Sequence, residues 1–103
     1  MITITGTVAP RGKYLVTGAP VNSTAELPMK ISFENMTGGT NLTLCAGTLA
    51  QFNAGQVGMQ LSSSGGPGFR FLTIIDAAKL DGKVIYVLHA VGTVNAQFTM
   101  VIE

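Results

Sequence analysis

The stretch KVIYVLHAVGTVNAQFTMVIE, Lys83 to Glu103, decides the fold. In its first half Val84, Tyr86 and Leu88 alternate with Ile85 and Val87. Both faces are apolar, which suits only a strand covered on both sides. In the second half Val94, Ala96, Phe98, Met100 and Ile102 fall on one side, and Asn95, Gln97, Thr99 and Val101 on the other. That is the period of a strand with one face buried. Gly92-Thr93 separates the halves and predicts a hairpin.

Working back from this stretch, Asp76 to Leu80 predicts one helical turn capped by Asp76 and closed by Asp81-Gly82. Phe69 to Ile75 is a further strand, apolar on both faces from Leu72 on. SSSGGPG, Ser62 to Gly68, carries the strongest loop signal in the chain and predicts no regular element. Val57, Met59 and Leu61 alternate before it. Met29, Ile31 and Phe33 oppose Lys30, Ser32 and Glu34 in the cleanest amphipathic strand. Gly38-Gly39 then turns the chain into Asn41 to Ala46, with Leu42 and Leu44 inward, a second predicted hairpin.

Val21 to Leu27 reads as polar loop, and Tyr14 to Thr17 as a short edge strand. Ile2, Ile4, Gly6 and Val8 alternate with three threonines in a half-buried first strand ended by Pro10. The spacing predicts an all-β fold, an antiparallel β-sandwich or jelly-roll-like barrel of about seven or eight short strands. Residues 1–103 form a single domain, and no stretch reads as a helix of three turns.

Composition narrows the function more by exclusion than by assignment. Apolar residues make up 47% of the chain and charged ones 11%, less than half the usual share. So apolar a chain is not disordered. Serine, threonine and glycine fill the surface instead, at a net charge of +1. A small monomer depends on charge for solubility, so part of this surface is expected to be covered by copies of the chain or by a partner. The bases Arg11, Lys13, Lys30, Arg70, Lys79 and Lys83 are scattered, and five acids nearly balance them. Nucleic acid is therefore not an expected partner. No apolar run reaches the length of a membrane span. The first residues lack the basic and apolar segments of a signal peptide, which fits either an intracellular protein or a mature terminus.

Few residues offer chemistry. His89 lies in the central strand beside Ile85 and Val87, where a packed, hydrogen-bonded ring is expected. Cys45, the lone cysteine, sits in a strand without an electropositive neighbour and reads as a small buried hydrophobe. The acids show no paired spacing, and one histidine with one cysteine cannot make a zinc site within the chain. The glycine-rich loop lacks the lysine of a phosphate loop and precedes a strand. The expectation is a protein that is not an enzyme and has no catalytic residues, metal or cofactor. Sequons occur at Asn22, Asn35 and Asn41, a number that the abundant threonine makes unremarkable.

Three stretches resemble subunits of chaperone–usher pili. Ile2, Ile4, Gly6 and Val8 are similar to that family's N-terminal extension. VGMQLSSSGG, Val57 to Gly66, is similar to its strand-and-turn motif, and TVNAQFTMVIE to its C-terminal strand. The family's cysteine pair and its tyrosine near the C-terminus are missing. The resemblance implies an immunoglobulin-like sandwich in which Ile2 to Val8 completes a neighbour's sheet. It points to an extracellular or surface location.

The expected function is a self-associating structural or adhesion-type subunit, a homo-oligomer paired through Ile2, Ile4, Gly6 and Val8. The few charges near this edge support it, since Pro10, Arg11 and Lys13 stand beyond the strand. The alternative is a small lectin for cell-surface glycans, with Tyr14, Phe52 and Asn53 as the ligand-binding residues.

Overall fold

A computed structural model describes residues 2–16, 21–22, 28–64 and 70–103. Among these residues eight strands are present: β1 (Ile2–Val8), β2 (Lys13–Leu15), β3 (Pro28–Asn35), β4 (Asn41–Gly47), β5 (Met59–Ser64), β6 (Arg70–Asp76), β7 (Val84–Val91) and β8 (Ala96–Ile102). They form two four-stranded antiparallel sheets, ordered β1-β8-β3-β6 and β2-β7-β4-β5. The pairs β1–β8, β2–β7, β3–β6 and β4–β5 are those of one long hairpin rolled over on itself. This is the order of a jelly roll.

The decisive stretch supplies an inner strand to each sheet. β7 lies between β2 and β4, and β8 between β1 and β3. The two-sided apolarity of β7 has a direct explanation. Ile85 and Val87 pack into the core between the sheets with Leu42, Leu44, Ile31, Phe33, Phe98 and Met100. Val84 and Tyr86 face outward into a second cluster with Cys45, Leu15, Phe52 and Leu88. A short helix, α1 (Leu49–Asn53), brings Phe52 over this outer face, its ring centroid 5.3 Å from that of Tyr86.

Neither predicted hairpin forms. β7 and β8 lie in different sheets, as do β3 and β4, so the Gly92 and Gly38-Gly39 turns are arches across the sandwich. A turn signal reports that the chain reverses, not whether the next strand lands beside the last or opposite it. The flanks of β7 are already taken by β2 and β4. Of the connections between successive strands, only β4 to β5 stays within a sheet.

The loop expected from Ser62 begins later than its composition suggests. Ser62, Ser63 and Ser64 belong to β5 and pair with Leu44, Thr43 and Leu42. Backbone groups make that ladder, so serines join it once a neighbouring strand offers partners. The rest of the glycine-rich run, 65–69, lies outside the described residues, as does most of the expected Val21–Leu27 loop. The turn after β6 is a 3₁₀ helix, Ala77–Leu80, and the Asp76 side chain makes no capping hydrogen bond to it.

Candidate functional site

Two features of the surface are candidates for a functional site: the edge at β1 and a cleft on the outer face of the second sheet. β1 pairs with β8 from Ile2↔Ile102 to Val8↔Ala96 and forms the edge of its sheet. Its seven residues include no charge and no proline. Of the expected interface residues, Val8 is buried and Ile4 packs against the core, while Ile2 is 58% exposed. Gly6 faces inward as well. A Cβ there would lie 2.8 Å from both the Phe98 and Tyr14 rings. The outward side chains are Thr3, Thr5 and Thr7, all exposed.

The face running from β1 across this sheet is uncharged over β1 and β8, and beyond them Lys30 and Glu34 of β3 stand among exposed apolar side chains of β6. Thr3 and Thr5 stand opposite Val101 and Thr99 of β8, and Ser32 of β3 lies between Val101 and Leu72. Leu72 and Ile74 are 62% and 59% exposed. Glu34 and Arg70 form an ion pair at 3.2 Å, but the Arg70 side chain is mostly in water and the pair contributes little.

The cleft on the second sheet has about 460 Å³ of space. Its walls come from the β1–β2 turn, β4, β7 and the end of α1, and include Arg11, Lys13, Thr43, Asn53, Leu88 and Ala90. α1 begins at Thr48, where a capping box fixes the chain: Thr48 Oγ1 accepts from Gln51 N–H, and Gln51 Oε1 accepts from Thr48 N–H. Lys13 Nζ donates to the Asn53 carbonyl and sits 5.0 Å from the Phe52 ring centroid. The turn before it closes by Gly12 N–H to Ala9 C=O at 2.8 Å, with Pro10 second and Arg11 third. Arg11 has a φ of 59°, at a position where glycine or asparagine is usual. Holding arginine there costs on the order of 1–2 kcal/mol.

The three residues expected to bind a glycan do not meet in one place. Asn53 lines this cleft, while Phe52 packs against Tyr86 beside it. Tyr14 turns inward and packs edge-on against Phe98 at 5.2 Å. Arg11 was not among the expected site residues. Its signal, a non-glycine after Pro10 in a tight turn, emerges only once the turn geometry is known.

The chemically reactive residues are held quiet. Cys45 is fully buried, its Sγ donating to the Tyr86 carbonyl at 3.6 Å. Burial pushes its pKa up to about 11. His89 is buried and bonded through Nε2 to the Val94 carbonyl at 2.9 Å, while Nδ1 has no partner among the described residues. Nor do three of histidine, cysteine, aspartate and glutamate gather anywhere among them. No helix among them is long and apolar enough to cross a membrane. Asn35, one of the sequon residues, is fully buried and bonded to Thr40, so in the folded chain it offers no amide for a glycan. No protein-family model matches this chain, and no curated protein matches it either.

Proposed function

We propose that this protein is a self-associating structural or adhesion-type subunit, with β1 as the strand that pairs with another copy. The observation that carries the reading is that β1 is a regular seven-residue edge without charge, proline or register shift. Native edges are ordinarily blunted by such features. β2 is three residues long, and β6 ends in Arg70 and Asp76, so those edges are protected in the usual ways.

Light scattering at micromolar concentration tests this, and a mass that is a multiple of 10.7 kDa is expected. The Thr3→Lys/Thr5→Lys variant changes two exposed side chains and should return a single chain with the fold kept. Ile4→Lys is a poorer probe, because Ile4 packs against the core. Hydrogen exchange adds a sharper readout. Alternate amides of an edge strand point away from its neighbour, so protection at every β1 amide marks a paired edge. A wild-type mass of one chain would overturn the reading. A glycan-array hit that persists in the lysine variant would favour the lectin instead.

A further inference from the structure

The cleft on the outer face of the second sheet carries an inference independent of the β1 edge. Two of its lining residues, Arg11 and Lys13, are cations, and no carboxylate among the described residues lines it. The described acids lie elsewhere: Glu34 on β3, Asp76 at the end of β6, Asp81 after the 3₁₀ turn and Glu103 beyond β8. Arg11 has no ion-pair or hydrogen-bond partner among the described residues. It nevertheless occupies a left-handed position that asparagine or glycine would fill without strain. The turn that holds it is anchored to β7 by His89 N–H to the Gly12 carbonyl at 3.1 Å. An arginine on a strained turn, lining a cleft with a second cation and no described carboxylate, is chemically suited to an anion.

We infer that this cleft binds a small organic oxyanion, a carboxylate or a phosphate monoester. The Arg11 guanidinium takes the charged group in a two-point grip, the geometry for which its fork is suited. Lys13 already gives one hydrogen to Asn53 and has two left for the ligand. The uncharged body of the ligand lies on Leu88, Ala90 and Val57. The space available, about 460 Å³, has room for a small organic molecule and is far more than a bare anion fills.

The test is an amide chemical-shift titration with three probes: inorganic phosphate, glucuronate and, as neutral control, glucose. Phosphate, glucuronate or both should move the resonances of Arg11, Gly12, Asn53, Ala54 and Gly55 at millimolar concentration, and glucose should not. Which anion acts identifies the headgroup as phosphate or carboxylate. Added sodium chloride should weaken the response. The Arg11→Asn variant removes the charge while suiting the turn, so its Tm should be level or higher and its response to anions lost. The inference is overturned if neither anion moves these amides, if glucose moves them equally, or if the variant responds like the wild type. A sharp fall in the variant's Tm would also overturn it, by making Arg11 a structural residue.

Discussion

Asn35 Nδ2 donates to both oxygens of Thr40, the carbonyl at 3.1 Å and the hydroxyl at 2.9 Å, and so ties the end of β3 to the start of β4. Its Oδ1 accepts from Thr37 N–H at 3.0 Å. Thr37 Oγ1 in turn accepts from Gln97 N–H of β8 at 3.0 Å. One buried amide therefore shapes the arch that carries the chain between sheets. Asn35→Ala should cost about 2–4 kcal/mol in urea unfolding, because it leaves several buried groups unpaired at once.

Tyr86 plays a similar part on the outer face. Its hydroxyl donates to the Gln56 carbonyl at 2.6 Å and accepts from Gly58 N–H at 3.3 Å, pinning the turn after α1. Tyr86→Phe keeps the ring against Phe52 but strands both groups. We expect a loss of about 1–2 kcal/mol and faster exchange of the Gly58 amide.

Cys45 should make stability fall at alkaline pH. Its thiol pKa is 9.0 when unfolded and about 11 when buried, so the unfolded chain loses its proton first. The contribution is complete below pH 9.0 and is lost as pH rises toward about 11. Burial raises the Tyr86 pKa too, which acts in the same direction. The Cys45→Ala variant should lose less stability over that window, the difference being on the order of 2 kcal/mol at its upper end. Equal slopes for the two proteins in pH-dependent urea titrations would show the thiol to be uninvolved.

Gly6 is glycine because two rings close over it. A Cβ would meet Phe98 and Tyr14 at 2.8 Å, and both rings are packed against each other and the core. Gly6→Ala should cost about 1–3 kcal/mol in thermal or urea unfolding. Relief by Tyr14→Leu in the double variant would identify the ring as the obstacle.

Strand identity was legible wherever burial alternates or saturates, as in β3, β7 and β8. What the pattern of Lys83 to Glu103 could not convey is that its halves belong to different sheets. Turn residues encode a reversal of direction, whereas the neighbour each strand takes within a sheet is fixed by long-range partners such as Ile2 and Ile102. The helix that covers Tyr86 was not anticipated from the sequence, although Thr48 and Gln51 have the spacing of a capping box. Five residues are too few for helical periodicity to declare itself. At the candidate sites, the free edge of β1 followed from composition. The inward turn of Tyr14 and the left-handed Arg11 depend on geometry that no short stretch of sequence carries.

The placement of β7 and β8 has a consequence for how the chain is made. Translation delivers β1 and β2 first, yet their sheet partners, β8 and β7, leave the ribosome last of the eight strands. The β2-β7-β4-β5 sheet lacks an inner strand until Val91 has emerged, and the β1-β8-β3-β6 sheet until the residues near Ile102 have. Such long-range closure is slow, and during synthesis β1 waits without its own β8 beside it. On a polysome, where neighbouring nascent chains expose the same strand at high local concentration, this interval is when chains are most prone to capture one another.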